Sequence, residues 1–197
     1  MQVKVTKIKT KNPATYLLNC YRSAASKHIN GALDTIIANH GNNNAVMATL
    51  NQIYEDAQQC RIIGLINDRE YDAIAAIAFD VVCGDITHLD LPHIHYVNNS
   101  RGEKLRTLNE LKTVMRESIA EPVNSCLRCL TAPNNEWKQE GWNSEEEYHQ
   151  GLLQFVHNIM RVGKIIGITT EHDHHMVTMH MQECIAEKKF RAITLGT

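Results

Sequence analysis

Apolar residues recur along most of this chain at helical spacing, and extended pieces are expected only at its ends and at His93–Val97. Val46, Leu50, Ile53, Tyr54 and Ala57 fall at i, i+4, i+7, i+8 and i+11, which is one face of an α-helix. After a break at Gly64 the period resumes with Tyr71, Ile74, Ile77, Ala78 and Val81. An earlier helix opens at Asn12-Pro13, where proline suits the first helical position because the N–H it lacks would be orphaned there anyway. Leu17, Cys20, Tyr21 and Ala24 form its stripe. Asn30-Gly31 weakens or divides it, and Leu33, Ile36 and Ile37 carry it on to the polar loop at Gly41–Asn44.

In the second part of the chain, a Ser100–Glu103 capping box precedes Leu105, Leu108, Leu111, Met115 and Ile119. That helix is expected to stop before Pro122, with Val123, Cys126, Leu127 and Leu130 lining a short one after it. Ser144 with Glu147 opens a helix lined by Leu152, Phe155, Val156 and Ile159, and Val177, Met181, Cys184 and Ile185 line the last.

Two of the breaks are written alike. Arg61-Ile-Ile-Gly64-Leu-Ile-Asn67 returns as Lys164-Ile-Ile-Gly167-Ile-Thr169-Thr170. In both, a basic residue closes one helix, glycine breaks it, and Asn67 or Thr169/Thr170 can cap the next. Helices joined by so short a corner pack antiparallel, so each copy predicts a helical hairpin. Duplication accounts for the likeness, and so does the small number of ways to write such a corner.

The fold expected is mainly α: helical hairpins packed in one bundle-like domain spanning 1–197, with sub-units 12–82 and 100–190 joined by an irregular segment at 83–99. Val3 and Val5 alternate with lysines, and Phe190–Leu195 reads as extended, which predicts a two-stranded ribbon formed by the N- and C-termini.

Bulk properties narrow the function. At 43% hydrophobic and 21% charged, the 197-residue chain can bury a core, and its formal charge of -2 argues against nonspecific nucleic-acid binding. No apolar run approaches a membrane span, and the first residues have no secretory apolar core. Six dispersed cysteines fit reduced, packed side chains better than a disulfide framework, so a cytoplasmic protein is expected.

The sharpest local motif is Cys126-Leu-Arg-Cys129. Two such thiolates can share a zinc ion if two further ligands come from Cys83, His88, His93 and His95 in the irregular segment; His93 and His95 complete the candidate set. No second CxxC accompanies the pair, and Cys126 lies on an apolar stripe. Glu171-His-Asp-His-His175, followed by His180, falls in a solvated first turn, where the acids simply suit the helix dipole. Lys4, Lys7, Lys9 and Lys11 make a basic stripe that could meet nucleic acid, though few aromatics stand near to stack bases. Glu145, Glu146 and Glu147 offer an acidic face to a basic partner.

No phosphate-binding GxxxxGK[ST], no GxGxxG after a strand and no GxSxG elbow occurs. The expectation is therefore a non-catalytic binding protein with no cofactor, an adaptor, inhibitor or accessory factor acting through protein contact. A zinc-stabilised or metal-dependent protein is one alternative, and an accessory nucleic-acid binder using the lysine-rich N-terminus is the other.

Overall fold

The computed structural model describes residues 12–85, 87–95, 98, 101–132 and 141–196, and within them the chain is a bundle of six helices. These are α1 (Pro13–Ala38), α2 (Asn43–Ile62), α3 (Asp68–Val82), α4 (Leu108–Thr131), α5 (Glu145–Ile165) and α6 (Glu171–Glu187). Their apolar faces meet in one core that includes Ile29, Leu33, Ile53, Ile119, Leu127 and Ile159. No helix among the described residues is long and apolar enough to cross a membrane.

Two helices run through expected breaks. α1 is continuous past Asn30-Gly31, because Ile29 and Leu33 are buried on either side and hold the stripe together. α4 continues through Pro122, with Ile119 and Val123 both fully buried across it. Its start also differs from expectation. Thr107 caps it in a box with Glu110, while Leu105 is buried in the segment just before.

The chain is the same three-helix unit used twice, α1–α2–α3 and then α4–α5–α6. Buried positions on α3 are Ile74, Ala78 and Val81; a constant shift takes them to Val177, Met181 and Cys184, the buried positions of α6. Under that shift Ile53, Ala57 and Cys60 fall on Val156, Met160 and Gly163, all buried. Tyr21, Ala25, Ile29 and Leu33 of α1 correspond to Met115, Ile119, Val123 and Leu127 of α4.

Polar contacts repeat as well as apolar ones. Arg22 on α1 ion-pairs with Glu70 in the capping box of α3, and Arg116 on α4 does so with Asp173 in the capping box of α6. Arg61 reaches Asp68 across the first corner, and Lys164 reaches Glu171 across the second. Asn30 exchanges two hydrogen bonds with the backbone of Leu89, and Asn124 does the same with Ile193. A shared corner sequence would not require any of these. Duplication of one unit accounts for all of them.

The units meet through their own equivalents, α1 on α4 and α2 on α5. Asn158 donates to Glu55 at 3.2 Å, and these two residues are themselves counterparts under the shift. A position that touches its own counterpart marks a two-fold axis, as in a symmetric dimer interface. The bundle is a dimer-like pair within one chain.

Each corner turns on a glycine in the left-handed region, Gly64 at φ 80° and Gly167 at φ 84°. The Leu65 N–H then donates to Cys60 O at 2.9 Å and the Ile168 N–H to Gly163 O at 2.8 Å, satisfying helix-end carbonyls. A Cβ at Gly64 would meet nothing within 4 Å, and at Gly167 only Tyr21 at 4.0 Å. Alanine at either corner should therefore cost only the backbone term, about 1–2 kcal/mol. The double variant shows whether the corners are independent, since Tyr21 and Arg22 of α1 touch one each. Equilibrium urea unfolding of both single variants and the double variant measures this.

The expected terminal ribbon is not seen. Residues 2–9 lie outside the described residues. The C-terminal segment makes its backbone hydrogen bonds with Asn124 of α4, and Arg116 donates to the carbonyl of Gly196. The irregular segment after α3 is held the same way along α1, by Asn19 on Ile94, Ser26 and Asn30 on Leu89, and Arg22 on Pro92. Side chains of a helix thus take the place of a neighbouring strand.

Candidate functional site

The two units differ where α1, α2 and α5 meet. On α2, Asp56 stands in the buried stripe of Ile53, Ala57 and Cys60 and is itself only 2% exposed. An ionised carboxylate in that place costs several kcal/mol unless it is paired and hydrogen-bonded. Three side chains from three helices pair it. His28 Nε2 of α1 lies 2.7 Å from Oδ2, Gln52 Nε2 donates to Oδ1 at 2.9 Å, and Arg161 of α5 also donates to Oδ1.

The other unit has none of this. The counterpart of Asp56 is Ile159, and those of His28, Gln52 and Arg161 are Pro122, Phe155 and Gln58. Ile159 is fully buried. One fold therefore carries an ionic filling at this position in one unit and an apolar one in the other.

His28 also opens onto a surface cleft of about 590 Å³. Its floor is α1, where Ala24, Gly31 and Ala32 present little bulk, and Lys27, His28 and Thr35 supply the polar groups. Thr49 of α2 and Ile165 of α5 form the walls. The threonine hydroxyls donate to their own helix, Thr35 to Gly31 O and Thr49 to Ala45 O, both at 2.9 Å. Their oxygens can still accept. No carboxylate lines the cleft. Asp56 lies behind the imidazole and fixes the ring, which leaves Nδ1 as the nitrogen free to meet a ligand, as acceptor when neutral and donor when protonated.

Residues singled out from the sequence lie elsewhere. Cys126 is buried on α4, its thiol pushed up to about 11 by burial and then by the neighbouring Cys129. Cys129 is half-buried, whereas His93 and His95 are exposed in the segment along α1. Among the described residues no three His, Cys, Asp or Glu side chains are grouped to hold a metal ion. Lys4, Lys7, Lys9 and Lys11 lie outside the described residues. Glu145, Glu146 and Glu147 form the first turn of α5, bonded locally to His149, Gln150 and Asn143.

His172 and His175 are exposed, while His174 packs its ring 5.3 Å from that of His157. Burial first, and then the charge of His157, holds His174 below its usual pKa. His180 Nε2 lies 2.8 Å from the Arg191 carbonyl, a structural tie between α6 and the C-terminal segment. Sequence reasoning passed over His28 and Asp56. Asp56 did carry a signal, since an acid three residues after Ile53 and one before Ala57 falls on the face that has to be buried.

No protein-family model matches the chain, and neither a curated protein nor a solved structure is similar to it.

Proposed function

We propose that this protein works by binding: it is a non-catalytic accessory protein, an adaptor or inhibitor, that meets a partner protein over the face carrying the α1 cleft. One observation supports the reading. A half-buried His28, paired with the buried Asp56, stands at an open cleft in one unit, where the same fold places Pro122 and Ile159 in the other. Departures from an apolar core at one of two equivalent positions concentrate where a protein does its recognition or chemistry. Around this pair the cleft holds acceptor hydroxyls and small apolar side chains, with no nucleophile paired to the imidazole.

Lys27 and Glu121 are exposed counterparts on the two units, which supplies an internal control. A photo-crosslinking residue at Lys27, used in the cell of origin, should give an adduct of defined mass, while one at Glu121 gives none. No adduct from either position, or turnover of a small molecule by the purified protein, would overturn the reading.

A further inference from the structure

We infer that the α1 cleft is an oxyanion site, taking a carboxylate or phosphate group between the Lys27 ammonium and the protonated form of His28, whose Nδ1–H can donate. The inference rests on the reading of this cleft as a recognition surface and names the chemistry recognised. Its lining carries one permanent cation, Lys27, one imidazole and no acid. Behind the imidazole, Asp56 is matched by Arg161 of α5. Asp34, three residues beyond Gly31 on α1, is exposed and faces His88 at 3.3 Å.

Geometry adds to charge. The imidazole is only partly exposed, its side chain at 31%, and it is braced by a carboxylate that is itself braced from α2 and α5. An imidazole fixed in this way loses little freedom when it binds, which favours affinity. Thr35 and Thr49 can accept from hydroxyl or amino groups on the rest of a ligand, and Ala24, Gly31 and Ala32 leave room for it. The cleft, about 590 Å³ and open to solvent, leaves room beyond the anionic group for the rest of a ligand. On the opposite unit the counterpart of Lys27 is Glu121, so the matching face carries the reverse charge. The preference for an anion belongs to one side of the bundle.

The test is a titration of the intact protein with inorganic phosphate and with acetate, at constant ionic strength set by chloride, followed by the imidazole NMR signals of His28. Saturable shifts are expected, with affinity weakened about tenfold or more by His28→Gln and by Lys27→Gln. Asp56→Asn should weaken binding while the helical circular dichroism stays unchanged, and Glu121→Gln should leave binding intact. Shifts that never saturate, or that Lys27→Gln and His28→Gln leave unaltered, overturn the inference. Saturable binding with no crosslinked partner would instead overturn the partner-protein reading and leave a small-molecule anion site. Competition by phosphate against a crosslinked partner would place an acidic group of that partner in the cleft.

Discussion

Replacing Arg22 with methionine is expected to cost about 3–5 kcal/mol of folding stability, because it breaks a buried ion pair from one side only. The guanidinium is 3% exposed and the Glu70 carboxylate 14%. Arg22 donates to Glu70, to the Leu65 carbonyl in the first corner and to Pro92 O at 3.1 Å in the segment beyond α3. One side chain therefore holds three stretches of chain to α1, and methionine takes that donor from the Leu65 and Pro92 carbonyls and leaves Glu70 with its Asn67 backbone bond alone. The same change at Arg116 should cost less, since that side chain is 15% exposed and its acceptors lie nearer water. Urea unfolding of both variants gives the comparison.

The pH dependence of the Arg22 effect has a definite sign. Burial pushes the Glu70 carboxyl up, but the hydrogen bond from Arg22, the backbone bond at Asn67 and the Arg22 charge outweigh it and hold the carboxyl below its usual range. A group lowered in the folded state contributes stability above its unfolded pKa, about 4.3 for glutamate, and loses that contribution as pH falls through the folded value. Without Arg22 the burial effect gains weight and this contribution shrinks. The gap between wild type and Arg22→Met should therefore be widest near neutrality and narrow on acidification. An equal gap at both ends would assign the loss to packing of the arginine stem.

How far these contacts could be read from the chain depended on their range. The corners at Gly64 and Gly167 were legible because a basic residue, a glycine and a cap within a few positions are all local signals. The length of α1 and α4 was not. Pro122 lacks an N–H and costs about 3 kcal/mol inside a helix. Ile119, Val123, Cys126, Leu127 and Leu130 are nevertheless buried in one unbroken stripe, which outweighs that local penalty. Asn30, which looked like a helix breaker, is spent on the Leu89 backbone from the side of an intact helix. The N-terminal half of the expected ribbon lies outside the described residues, and in the C-terminal half Asn124 supplies the two backbone hydrogen bonds of Ile193. The cleft was hidden most completely. His28, Asp56 and Arg161 belong to three helices, and only the packing of α2 on α5 brings Arg161 to Asp56.

A swap between the two units tests whether the ionic cluster serves stability or the cleft. Ile159→Asp is expected to cost about 4 kcal/mol or more, enough to abolish cooperative unfolding in a marginal domain. The new carboxylate would be fully buried, and the positions that serve Asp56 hold Phe155, Pro122 and Gln58 around it. Asp56→Val should behave quite differently. Arg161 and His28 keep side-chain exposures of 26% and 31%, so both can turn to water once the acid is gone, and the desolvation of Asp56 is relieved. Replacing a buried charge with an apolar residue of similar size is often neutral or stabilising, so the change should lie within about 1 kcal/mol of wild type. Thermal and urea unfolding of the two variants decide the point. If Asp56→Val were as damaging as Ile159→Asp, the cluster would be part of the scaffold. A stable Asp56→Val protein whose cleft no longer shifts with phosphate would mean that the carboxylate is kept to aim His28.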